Sequence, residues 1–138
     1  MTIDELKPDE VEAAVALWEA CDLTRPWNDP RADARRAFEG ATSTILASHE
    51  DGRLVATVMV GADGHRGWVY YLAVAPDRRK CGLGEAMMCA AEAWAVARGM
   101  LKMQLMVRVE NAGAAGFYHA IGYETEECLL LAKRLAGD

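Results

Sequence analysis

Nowhere in this 138-residue chain do two cysteines stand two residues apart. Cys21, Cys81, Cys89 and Cys128 are scattered, with no histidine at ligand spacing, which argues against a zinc framework or any other metal site. No apolar stretch approaches membrane length, and the opening Met-Thr-Ile-Asp-Glu-Leu-Lys is not an apolar signal segment. Free cysteines then fit a cytoplasmic protein with no membrane partner. Cations are in deficit: 15 Lys and Arg against 21 Asp and Glu give −6, which argues against a nucleic-acid-binding surface. Repeats, low-complexity tracts and linkers are absent. A hydrophobic content of 52% with 26% charged residues is globular, and the length predicts one domain over 1–138.

Against that acidic background, three consecutive cations stand out. Residues 74–84 read Val-Ala-Pro-Asp-Arg-Arg-Lys-Cys-Gly-Leu-Gly. A hydrophobic run ends, Arg78, Arg79 and Lys80 occupy a turn, and Gly82 and Gly84 open a long helical pattern. A helix start presents unpaired N–H groups and the positive end of the helix dipole, and glycine keeps side chains out of an anion's way. The segment predicts a phosphate-binding turn. It is not a Walker loop, and Met87 occupies the third glycine position of a dinucleotide fingerprint. A basic turn that only caps a helix is the plainer alternative.

The rest of the chain alternates helical and extended patterns. Residues 3–6 suit a short strand, and Pro8 opens a helix with Val11, Val15, Leu17 and Trp18 in its apolar stripe, ending near Asp22. Pro26 and Pro30 keep 24–30 irregular, and a second helix spans about 31–39. Strands over 43–49 and 54–60 are joined through Asp51-Gly52, a hairpin signal. Residues 68–75 form a continuous apolar strand suited to a sheet centre. The main helix runs over about 82–98, with Leu83, Met87, Ala90, Ala91 and Trp94 as core. A strand is expected over 101–109, a helix after Asn111, and a last extended segment over about 123–135. The order is that of an α/β sandwich around one mixed sheet.

Two segments carry a family resemblance. Arg79-Lys80-Cys81-Gly82-Leu83-Gly84 matches Arg/Gln-x-x-Gly-x-Gly/Ala, and residues 111–123, with Asn111, Phe117, Tyr118, Gly122 and Tyr123, match Asn-x-x-Ala-x-x-Phe-Tyr-x-x-x-Gly-Phe/Tyr. Together they resemble the coenzyme-A signatures of the GNAT superfamily of N-acetyltransferases over residues 68–123. The loops 25–29 and 63–66 look like the small bacterial YpeA-like branch. The resemblance implies an α/β (α+β) fold with a mixed, mostly antiparallel sheet of six to seven strands and about four helices. It implies acetyl-CoA as co-substrate, held by residues 79–84, by backbone groups of Leu72, Ala73 and Val74 where two strands splay, and by Asn111, Phe117 and Tyr118. The acceptor would be an amine of a small molecule or a protein, and a homodimer is the candidate assembly. Phe117 and Ile121 serve equally well as core. Gly113 and Gly116 depart from a good helix, costing roughly 1 kcal/mol each.

Acetyl transfer from a thioester requires a deprotonated amine, donors for the oxyanion and help for the leaving thiolate. An amine of pKa about 10.4 is not nucleophilic until it loses a proton. By the resemblance, Tyr118 serves the thiolate and a backbone N–H of Ala73 or Val74 serves the oxyanion. Many relatives carry a glutamate on the central strand, but Trp-Val-Tyr-Tyr-Leu-Ala-Val has no carboxylate. Glu110, His65 or a water held by Tyr70 or Tyr71 are the candidate bases, with Glu110 equally suited to the helix dipole. Arg25, Trp27, Asn28 and Asp29 could border the acceptor, together with His65 and Tyr70, or the loop could merely cap its own helix. Loss of the strand carboxylate also fits a non-catalytic acyl-CoA-binding regulatory module.

Overall fold

The computed structural model describes residues 2–136 and divides the chain into two units, Met1–Leu105 and Met106–Asp138. The first unit carries the sheet. Strand β1 (Ile3–Glu5) leads through a 3-10 turn at Pro8–Glu10 into helix α1 (Val11–Ala20), and α2 (Pro30–Glu39) follows. Strands β2 (Ser43–Glu50), β3 (Arg53–Ala62) and β4 (Gly67–Val74) come next, then a 3-10 turn at Pro76–Arg78, helix α3 (Leu83–Ala97) and the two-residue strand β5 (Met103–Gln104). Sheet order is β1-β2-β3-β4-β5, antiparallel throughout except for the parallel β4–β5 pair.

Local chemistry explains these elements. Asp51 and Gly52 both adopt positive φ (52° and 77°), the conformation that matches a tight hairpin turn to strand twist. Asp29 caps α2 by accepting from the amides of Arg31 (3.1 Å) and Ala32 (3.2 Å), with Pro30 at the first helical position. The core lies between β2–β4 and the helices: Val11, Ala14, Val15 and Trp18 of α1, Ile45, Val55, Val58 and Val60 of the sheet, and Leu83, Met87, Met88 and Ala91 of α3 are buried. Ala90 and Trp94, expected in that stripe, are only half-buried, and Arg98 lies 3.7 Å from the Trp94 ring centre.

The second unit holds helix α4 (Ala112–Ala120), which Asn111 caps by accepting from the Ala114 amide at 3.0 Å. Two expectations are corrected. The strand over 101–109 shrinks to Met103–Gln104, with Leu101 and Val109 almost wholly exposed. The segment 123–135 pairs with no strand, so the sheet among the described residues has five strands, not six to seven. An extended stretch becomes a strand only where a partner edge takes its amides. Leu129, Leu130, Leu131 and Leu135 are exposed.

Candidate active site

In the first unit, β4 runs directly into the predicted phosphate loop. β5 pairs with β4 only at Gly67–Met103 and Trp68–Gln104, so beyond Trp68 the outer edge of β4 has no strand partner among the described residues. The Ala75 amide donates to Val55 of β3 (2.8 Å), and Ala73 pairs with Thr57. Alternation along an antiparallel pair therefore turns the backbone polar groups of Leu72 and Val74 toward the open edge. The Val74 carbonyl there accepts from the Cys21 thiol at 3.3 Å.

The following turn is fastened to the β2–β3 hairpin. Arg53 donates both terminal nitrogens to Asp77 (2.9 and 2.8 Å), and Arg78 grips Glu50 with contacts down to 2.6 Å. The Arg53 guanidinium holds the Asp77 carboxyl at about 2, below the usual carboxylate range. Arg78 is thus occupied by the protein. Arg79 and Lys80 have no polar partner among the described residues and remain available to an anion. Lys80 and Gly82 both have positive φ (64° and 82°), while the exposed Cys81 thiol donates back to the Arg78 carbonyl. Gly82 is the residue before α3, and no side chain caps that helix. The first intrahelical bond runs from the Ala86 amide to the Gly82 carbonyl, so the amides of Leu83, Gly84 and Glu85 lack helical acceptors. A Cβ built on Gly82 meets no atom within 4 Å. Free amides, two free cations and open space fit a pyrophosphate group.

Of the other predicted site residues in this unit, Tyr70 is 45% exposed on β4, and burial raises its hydroxyl pKa. Arg25 bonds the carbonyls of Asp22 and Thr24 (both 2.8 Å), so both Arg25 and Asp29 have local capping work. Trp27 and Asn28 are exposed. The His65 and Arg66 amides donate to Asp63, whose carboxyl is held below its ordinary value mainly by those bonds, Arg66 first; Trp68 Nε1 also donates to Asp63 at 3.1 Å.

In the second unit, Tyr118 lies edge-on to Phe117 (5.1 Å) and Tyr123 (5.8 Å). Its hydroxyl makes no hydrogen bond among the described residues, and burial pushes its pKa up to about 12. Glu110 is exposed, 4.0 Å from the Arg108 guanidinium.

The sequence reading missed a partly buried polar chain that links β3 and β4 to helices α1 and α2. Tyr71 and Leu72 together face Val58, a bulge, and Tyr71 has φ 52°. Its hydroxyl donates to Asp33 of α2 (2.8 Å), and its ring stacks on Trp18 of α1. Glycine is the usual sequence mark of a left-handed bulge, and tyrosine conceals it.

Comparison with known proteins agrees with this geometry. A model of the acetyltransferase (GNAT) family matches residues 12–123. An acetyltransferase of Pectobacterium atrosepticum is 44% identical over 138 residues, covering all of this chain and 98% of that protein. One from Yersinia pseudotuberculosis is 41% identical with the same coverage. Among solved structures, the aminoglycoside N-acetyltransferase AAC(6')-Iy in complex with a bisubstrate analog superposes with a TM-score of 0.82 over 98% of each chain at 16% identity. A mutant of the BH1408 protein from Bacillus halodurans gives 0.78 at 21% identity, covering 98% of this chain and all of that one. The chain belongs to the acetyltransferase (GNAT) family. It is an acetyltransferase.

Proposed function

We propose that this protein transfers the acetyl group of acetyl-CoA directly to a primary amine of a small molecule or protein, in the cytoplasm, as one domain comprising both units. The observation that carries this reading is the continuity, along one stretch of chain, of an open strand edge with an uncapped helix start bearing two free cations. The family match runs without interruption from residue 12 to 123 across both units, which supports the single domain.

In this reading Arg79, Lys80 and the amides of residues 82–84 hold the pyrophosphate, with Cys81 and Leu83 shaping the loop. Leu72 and Val74 bond the pantetheine arm as an added strand would. The Val74 N–H, turned to the open edge, meets the developing oxyanion; the Ala73 amide, the other expected donor, faces Thr57 of β3 instead. Asn111 and Phe117 set the helix that presents Tyr118. The amine loses its proton to Glu110, His65 or water, a C–N bond forms and the C–S bond breaks. Tyr118, held near 12, lies well above a thiol of about 8.5, so it donates a hydrogen bond to the departing thiolate instead of surrendering its proton. Arg25, Trp27, Asn28, Asp29 and Tyr70 border the acceptor. A homodimer belongs to the same reading, supported by the exposed leucines of residues 129–131.

Calorimetric titration tests the loop. Acetyl-CoA should bind the wild type, and Gly82→Val should abolish binding in a folded protein. A Cβ at this position meets no protein atom within 4 Å, so the branched side chain is expected to act on the ligand's space and on the left-handed backbone. Equal affinity in both proteins would refute the assignment.

A further inference from the structure

Tyr71 is a bulky residue in the left-handed region, a strained conformation for any side chain with a Cβ, and three contacts hold it there. Its ring stacks on the fully buried Trp18 with centroids 4.0 Å apart and planes 17° apart. Its hydroxyl donates to Asp33 Oδ2 at 2.8 Å, while Asp33 Oδ1 accepts from Arg36 at 2.7 Å. Its carbonyl accepts from the hydroxyl of buried Thr57 at 3.0 Å, and Thr57 in turn accepts from Trp18 Nε1 at 2.8 Å. Two helices and two strands thus converge on one backbone torsion. Strain over-determined in this way clusters at functional sites.

The consequence lies one residue on. Because Tyr71 and Leu72 share Val58 as their opposite number, the parity of everything after them is shifted. With the bulge, Leu72 and Val74 turn their polar backbone groups to the open edge; without it, Ala73 would do so, and Leu72 and Val74 would face β3.

We infer that Tyr71, locked by Trp18, Asp33 and Thr57, is a positioning residue that sets which β4 amides meet the acyl donor. This rests on the acetyl-CoA reading of the β4 edge given above. Burial and the Asp33 hydrogen bond both raise the Tyr71 pKa, so the hydroxyl keeps its proton and the lock holds across ordinary pH.

Free-CoA affinity and steady-state kinetics with a responsive amine test it on Tyr71→Phe, Tyr71→Ala, Tyr71→Gly, Asp33→Ala and Asp33→Asn. A misplaced acyl group costs about ten- to a hundred-fold in rate, so Tyr71→Phe and Asp33→Ala should lower kcat by that order, while the CoA Kd rises by a smaller factor, because the downstream loop still holds the pyrophosphate and only the pantetheine bonds to Leu72 and Val74 are disturbed. Asp33→Asn keeps an acceptor for the tyrosine and should restore most of the loss. Glycine tolerates the left-handed torsion and alanine does not, so Tyr71→Gly should turn over faster than Tyr71→Ala although both lack the ring. A packing role alone predicts lowered melting temperatures, unchanged kcat in the folded variants and no advantage of glycine over alanine; that pattern overturns the inference. A wild type that neither binds CoA nor acetylates any amine would instead overturn the reading beneath it, and this inference with it.

Discussion

Tyr118 shows how one side chain's surroundings narrow its role. Its phenol sits among Phe117 and Tyr123, and burial drives its pKa to about 12. Such a group keeps its proton through neutral and mildly alkaline pH, so its own titration cannot produce an alkaline limb near neutrality. Tyr118→Phe preserves the ring contacts and removes the donor. We expect kcat and kcat/KM to fall together by at least about ten-fold, with the effect toward or below the low end of the roughly 10²–10⁴-fold usual for such assistance because the thiolate is already a fair leaving group. Steady-state kinetics check this, and turnover within about two-fold of wild type would remove Tyr118 from the chemistry. Asp29 is the opposite case: it holds two amides of α2. Asp29→Ala should cost about 1 kcal/mol of stability, read by thermal melting. A raised KM for the amine with unaltered acetyl-CoA affinity would show that it also touches the acceptor.

At the scale of elements, the 3-10 turn Pro76–Arg78 joins β4 to the loop that leads into α3, and two ion pairs fix it to the β2–β3 hairpin. Asp77 has a folded pKa of about 2, depressed chiefly by its hydrogen bonds from Arg53. A depressed carboxylate contributes stability above its unfolded value and loses it as pH falls through the folded one. The melting-temperature gap between wild type and Asp77→Asn should therefore be constant above about pH 5 and close as pH falls toward 2. A gap independent of pH over that range would mean the pair contributes through shape alone.

The elements that sequence revealed well are those whose signals are local. Pro8 and Pro30 opened helical turns, Asp51-Gly52 turned a hairpin, Asn111 capped α4, and apolar spacing placed α1 and α3. The glycine-marked helix start at 82–84 was legible for the same reason, since it too is a local device. Non-local pairing was not legible. Alternation over 101–109 described a strand, yet only Met103 and Gln104 find a partner, and 123–135 finds none. The Tyr71 lock escaped because Asp33 lies 38 residues away and no glycine marks the bulge. Arg78 looked like an anion ligand until Glu50, 28 residues upstream, was seen to hold it.

For the molecule as a whole, the −6 balance sets the consecutive cations at 78–80 against an acidic background. No helix of the described residues is long and apolar enough to cross a membrane. Family membership establishes the reaction class, and β4 carries no carboxylate. The most direct test is release of free thiol from acetyl-CoA, followed with and without a panel of small amines and lysine peptides. The account predicts thiol release that depends on both enzyme and amine, at matching rates of N-acetyl product formation. Tight acetyl-CoA binding with no amine-dependent thiol release from any acceptor would contradict it and leave a binding module in its place.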